Sequence, residues 1–263
     1  MGNVFLPLVI AKGGGGSFQY VSVRFDIAGT HQWSVPAGIV DNTVDVFLVG
    51  GGGGAGGSGG GGGYTKAYRG AGYIAPQAGT WEILPDGGRD GNAIAVTPGE
   101  VISIIVGAGG IGAGTGSTAG GFSQFKDANY RADGGRPQDV SHTGGNGGSG
   151  GEPDGSGHPI TPTQSGGSDG GDAISSPNMS NNVGRGQGHT TRDFGEYAGM
   201  RNAGGGGGYR SRNMGGESDY TMGSGTGIVP TIGGGGYGGG GGGSTAPGNG
   251  GSGTVLIRYK VLG

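Results

Sequence analysis

Residues 50–63, GGGGGAGGSGGGGG, follow directly on the apolar VFLV at 46–49, and 12 of their 14 positions are glycine. A run of this kind has no side chains with which to build a core. It is a linker, a cofactor loop, or structure made from backbone alone. The few non-glycine residues separate these readings. Residues 144–152 read GGN-GGS-GGE, which places Asn146, Ser149 and Glu152 three apart, and Ala55, Ser58 and Tyr64 keep the same frame. Asn249 with Ser252, Ser165 with Ser168, and Asp169 with Asp172 repeat it. An extended left-handed helix of the polyproline-II type has three residues per turn and rises about 3.1 Å per residue. On such a helix the larger residues share one edge and the other two edges are bare backbone. Collagen needs glycine at one position in three with proline between; here glycine fills two positions in three and proline is sparse. The pattern predicts polyglycine-II helices packed side by side from one chain. On this reading the run at 50–63 is one helix, about 43 Å long if fully extended.

Energetics require a partner for such a bundle. Ordering a residue costs roughly 1–2 kcal/mol, and glycine lies toward the expensive end. A backbone hydrogen bond returns about 0.5–1.5 kcal/mol net. A frame must therefore hold the helix ends. The sequence supplies one in β-like segments at 17–27, 31–35, 43–49, 92–97, 101–106, 122–126 and 254–260. In the third, Val44, Val46 and Leu48 alternate with Asp45, Phe47 and Val49, a strand buried on both faces at its end. Pro36-Ala37-Gly38 and Pro98-Gly99 supply turns. No segment carries a 3.6-residue apolar period. The expected fold is all-β: a small β-sandwich frame with an inserted glycine-rich polyglycine-II helix bundle and no substantial α-helix. Its organisation is expected as an N-terminal docking arm at 1–12, a flexible GGGGS joint at 13–17, and the frame with its glycine-rich domain at 18–263.

Composition narrows the chemistry. The 263 residues include 78 glycines, about four times the usual share. A net charge of −3 with 13% charged residues offers no electrostatic footprint for nucleic acid. The absence of cysteine excludes disulfides and thiolate chemistry. The start, MGNVFLPLVIAK, has no basic n-region and is too short to span a bilayer, and Leu6 stands where a myristoylation signal wants Ser or Thr. Neither export by a standard signal nor membrane insertion is expected. No Gly-Lys-Ser/Thr follows a glycine run, so the nucleotide-loop reading fails. His31, His142, His158 and His189 lack metal-ligand spacing. GGSDGGDAI at 166–174 faintly echoes a calcium β-roll, and DGGRDGN could gather Asp86, Asp90 and Asn92, but turn formation explains both. No nucleophile, base and acid grouping announces an enzyme, and no cofactor is expected.

HQWSVPAG (31–38), VDVFLVGGGGGAGG (44–57), VTPGEVISIIVGAGG (96–110), GGFSQF (120–125) and NGGSGTVLIRY (249–259) follow one another in order. This succession resembles the glycine-rich domain of bacteriophage tail fibres and minor tail proteins, over residues 18–260. The architecture is also similar to the polyglycine-II bundles of phage fibre-tip adhesins. The resemblance implies a non-enzymatic virion component at the tail tip or fibre, made in the host cytoplasm. Its expected partners are other tail-tip or baseplate proteins through the N-terminal arm, a host-surface glycan or protein, and a possible second copy of itself. It carries over no receptor residues. Those are read from the segments between tracts: YTKAYRGAGY (64–73), TRDFGEYAGMRN (191–202) and YRSRNMGGESDYTM (209–222) mix aromatics, Arg, Asn and acids. Eight of the ten tyrosines fall within 50–253, a region otherwise poor in large side chains. The candidates are Tyr64, Tyr68, Tyr197, Tyr209, Arg210, Arg212 and Tyr220, because Tyr and Arg are typical interface anchors. The plainer role for these tyrosines is to cap the bundle, and Trp81 is as well suited to plug the frame as to bind. Two other functions compete: a structural spacer without receptor contact, and an ice-binding protein, against which the long charged loops argue.

Overall fold

The alternation in the apolar segments sets ten antiparallel strands into two sheets. The structure, a computed structural model, describes residues 5–8, 18–56, 60–70, 90–113, 116–137, 147 and 248–262, with the backbone alone at 5–8. The strands are β1 (Phe5–Leu8), β2 (Phe18–Phe25), β3 (Gly29–Ser34), β4 (Thr43–Val49), β5 (Thr65–Tyr68), β6 (Ile94–Ala95), β7 (Val101–Val106), β8 (Ser123–Phe125), β9 (Arg131–Ala132) and β10 (Thr254–Leu262). One sheet runs β1-β2-β10-β4-β5, with β6 also paired to β4; the other runs β3-β7-β8-β9. There is no α-helix among the described residues, as the missing 3.6-residue period requires.

Register aligns the core-facing apolar residues of neighbouring strands on one face. Val255 opposes both Phe25 and Leu48, and Ile257 opposes both Val23 and Val46. These residues meet Trp33, Ile102, Ile104, Val106 and Phe125 of the second sheet in one buried core. Trp33 lies at its centre, 5.6 Å from the Tyr259 ring and 6.3 Å from Phe125. The opposite face of β4 and β10 is also closed, with Phe47, Val49, Ala67 and Leu256 buried there, as the doubly apolar end of β4 foretells. Between β6 and β7 the Thr97 carbonyl accepts from the Glu100 N–H at 2.9 Å, and Gly99 takes φ +81. That is the turn Pro98-Gly99 encodes.

Two assignments differ from the sequence reading. Thr65–Tyr68, expected in a presented loop, is the edge strand β5, paired with β4 from Val49↔Thr65 to Val46↔Tyr68. The two-residue β9 was not foreseen. Phe5–Leu8 lies within the N-terminal apolar segment, whose composition suits a strand as well as an arm, and it pairs with β2.

The glycine segments begin where strands stop. Residues 50–55 leave β4, 107–113 leave β7 and 133–137 leave β9, while 60–64 enter β5, 117–122 enter β8 and 248–253 enter β10. The frame thus supplies the fixed ends that the entropy of glycine demands. One hydroxyl ties the junction: Ser123 Oγ donates to the Val49 carbonyl at 2.6 Å and accepts from the Gly107 N–H at 3.0 Å, fully buried. Ser123→Ala leaves the Gly107 N–H without its acceptor in a dry site and removes a second donor from the Val49 carbonyl. The expected loss is about 2 kcal/mol, read from the denaturant midpoint; an unchanged midpoint would refute this role.

Within the bundle the three-residue period is written in hydrogen bonds. Gly50 and Gly53 donate to Tyr64 and Gly61, Gly51 and Gly54 to Gly121 and Thr118, and Gly52 and Ala55 to Gly251 and Gly248, all at 2.8–3.0 Å. Successive residues therefore address three different neighbours, and each third residue returns to the same one. Carbonyls of this helix accept in turn from Gly110 and Gly135. Residues 50–55 are thus enclosed by five other segments.

The run at 50–63 is consequently not one 43 Å helix. Gly50 bonds Tyr64 and Gly53 bonds Gly61, so 60–64 runs back antiparallel beside 50–55, and each arm spans only about 15–19 Å. Tyr64 belongs to the returning arm and does not share an edge with Ala55, which is fully buried. The physical reason is donor saturation. A lone glycine rod leaves every amide to water, whereas folding back gives Gly50 and Gly53 acceptors on the returning arm and sets the other amides against neighbouring segments. Ser58 and the spaced residues at 146–172 lie outside the described residues.

The two-in-three glycine pattern has a steric cause at 107–113. A Cβ on Gly107 or Gly110 would land on carbonyls of 118–122, and one on Gly109 or Gly112 would land on carbonyls of 248–250. Ala108 and Ile111 occupy the remaining frame and are exposed. Where the Cβ would sit, a glycine hydrogen points at the oxygen instead, a weak Cα–H···O contact.

Candidate functional site

Strand β5 closes one side of the first sheet and β9 one side of the second, and the bundle starts from both. Their junction leaves an open groove of about 920 Å³ lined by Tyr64, Lys66, Ala119–Phe122, Arg131, Asp133, Gly134, Arg136 and Pro137. Its floor is backbone. The Gly120 N–H donates to Gly135, and the Gly121 N–H donates to Ala108, at 2.9 and 2.7 Å. A Cβ on Gly134 would land on the Gly120 carbonyl, so the floor admits no side chain and cannot collapse into the space.

The walls carry the chemistry. Lys66 projects from β5, and its ammonium pairs with Asp90 Oδ1 at 2.9 Å. The other Asp90 oxygen accepts from the Ala67 N–H at 2.8 Å. Arg131 on β9 lays its guanidinium 3.9 Å over the Phe122 ring, a cation–π contact, and its Nε donates to Asp133 Oδ1 at 2.7 Å. Both cations are therefore held in place. Arg136 is exposed and meets no carboxylate among the described residues. Tyr64 is half-buried, its backbone clamped through Asp133 and Gly50. Fixed cations, an available aromatic ring and a rigid floor are equipment for recognition. Among the described residues no three His, Asp or Glu side chains converge.

Of the residues singled out from sequence, Tyr64 lines this groove and Tyr68 does not. The Tyr68 ring stands edge-on to Tyr130 at 5.2 Å and its hydroxyl donates to the Asn129 carbonyl at 3.2 Å. Burial, then the neighbouring Asp90 carboxylate, pushes its phenol above the usual range, and its contacts are those of a packing residue. Tyr197, Tyr209, Arg210, Arg212, Tyr220 and Trp81 lie outside the described residues, as do His142, His158, His189, Asp86 and residues 166–174. His31 donates from Nε2 to the Ile27 carbonyl at 2.7 Å and packs on Phe25. Asp90 of the DGGRDGN stretch has both oxygens engaged by β5.

Sequence reasoning missed Phe122, Arg131 and Arg136 and did not single out Lys66. A sign was present: with only 15 basic residues in the chain, two arginines flanking a glycine pair in YRADGGRP stand out. Nothing local brings them to Tyr64.

The pattern that describes a glycine-rich domain fits residues 25–260. No curated protein matches.

Proposed function

The chain belongs to the glycine-rich domain family, and we propose that it acts there as a non-enzymatic recognition component of a bacteriophage tail tip, binding a glycan or protein of the host surface. The observation that carries this reading is the groove at the β5–β9 junction, with held cations and Tyr64 over a floor of locked backbone. A binding face that is already ordered loses little entropy on contact. The tail assignment rests on the ordered succession of frame and glycine segments, which resembles phage tail fibre and minor tail proteins. Docking to other tail-tip or baseplate proteins through residues 1–12 belongs to the same proposal.

The test is binding of the purified, fluorescently labelled chain to a panel of bacterial cells. Selective binding that falls about tenfold or more in Tyr64→Ala and in Arg131→Ala is the expected outcome, a tenfold change being about 1.4 kcal/mol. Absence of binding to every strain would overturn recognition and leave the spacer reading, for which the hydrogen-bonded enclosure of residues 50–55 is the support.

A further inference from the structure

We infer that the groove between β5 and β9 takes an anionic saccharide, its acid group on Arg136 and its ring against Tyr64. The inference deepens the recognition reading and rests on it. Charge comes first. Lys66 and Arg131 are each matched by a carboxylate at 2.9 and 2.7 Å, whereas Arg136 has none among the described residues. The chain as a whole carries −3, so an exposed guanidinium in a concave site stands against the bulk charge. A guanidinium presents a planar fork that matches a carboxylate or a phosphate with two parallel hydrogen bonds.

The aromatic surface points the same way. Arg131 already covers a face of Phe122, which leaves Tyr64 as the lining ring without a stacking partner among the described residues. A sugar ring with one apolar face suits a single tyrosine beside hydrogen-bonding groups. The floor excludes the competing classes. Its Gly120 and Gly121 amides already donate within the bundle, so an extended peptide cannot add to it as a strand. One cation unmatched among the described residues neutralises too little charge for a nucleic-acid backbone.

The experiment uses the full-length protein, labelled with nitrogen-15 and followed by NMR. It is titrated with trigalacturonic acid, with its methyl ester, and with a glycerol-phosphate trimer. Saturable shifts of the Gly120, Gly121 and Gly134 amides and of Arg136 Nε are expected with the carboxylate or the phosphodiester probe. Which of the two binds more tightly identifies the acid group. The neutral ester is expected to bind at least about tenfold more weakly, and Arg136→Ala to lose about tenfold or more. Arg136→Lys retains part of the affinity, and its unchanged thermal midpoint shows that the fold is intact.

Equal binding of acid and ester, shifts confined to other basic residues, or no binding of either anionic probe would overturn the inference. The cell assay separates that failure from failure of the recognition reading. Cell binding that survives Arg136→Ala removes the anionic ligand but keeps recognition, whereas wild-type protein that binds no cell removes both.

Discussion

Gly51→Ala is expected to cost about 3 kcal/mol or more, read as a large fall in the denaturant midpoint, for one added methyl group. The Cβ would fall on the Ala108 carbonyl oxygen, deep inside van der Waals contact. That oxygen cannot step aside cheaply, because it accepts from the Gly121 N–H at 2.7 Å, and the Gly121 carbonyl in turn accepts from the Gly51 N–H at 2.8 Å. Moving one segment by an ångström breaks a closed set of bonds among three. Gly54→Ala, on the same edge and facing Ile111, is expected to behave alike. The control is Gly38→Ala, where nothing lies within 4 Å of the new methyl and the backbone is compatible with alanine; there the loss of unfolded-state freedom predicts a gain of about 0.4–1 kcal/mol. Equal stability of the Gly51 and Gly38 variants would refute the close-packed bundle.

The second large effect concerns the pair Asp45–Arg258 on the face of the first sheet away from the main core. Arg258 donates to Asp45 Oδ2 through Nη2 at 2.6 Å and Nε at 3.1 Å, with the side chains only 8% and 15% exposed. The second Asp45 oxygen accepts from the Gly70 N–H at 2.9 Å, and the guanidinium lies 4.9 Å from the centre of the Tyr20 ring. Arg258→Met strands a carboxylate in a mostly dry place, and a loss of about 3 kcal/mol is expected. Adding Asp45→Asn removes the stranded charge, so the double variant should recover at least about 1 kcal/mol relative to Arg258→Met. Additive losses in the double-mutant cycle would show that the two side chains act independently. Arg258→Lys should not restore wild-type stability, since an ammonium cannot reproduce the fork or the stacking.

Both expectations depend on tertiary neighbours, although their residues were visible from the start. Asp45 stands out in TVDVFLV as the polar residue on a strand buried at both faces, but its partner lies 213 residues away. Tyr64 was legible as a candidate because an aromatic next to a glycine run has little core to enter. Its companions were not, because Lys66, Phe122, Arg131 and Arg136 come from three separated segments and none carries a spacing that announces a site. Tyr68 shows the converse. Four residues along the same segment, strand pairing and the Tyr130 contact turn an equally plausible candidate into packing.

The sequence by itself determined what repeats locally. Alternating apolar residues made β4, β7 and β10 strands, Pro98-Gly99 made a turn, and glycine at two positions in three made a three-residue helix with two bare edges. Each of these follows from steric rules acting over a few neighbouring residues. Only the tertiary structure decided that the run at 50–63 folds back on itself, which five segments enclose residues 50–55, and that β5 and β9 leave a groove between them. Glycine has no side chain with which to choose a partner. Which of the described segments lie together is therefore settled by pairing backbone donors between segments distant in sequence, and by the strands that hold the segment ends.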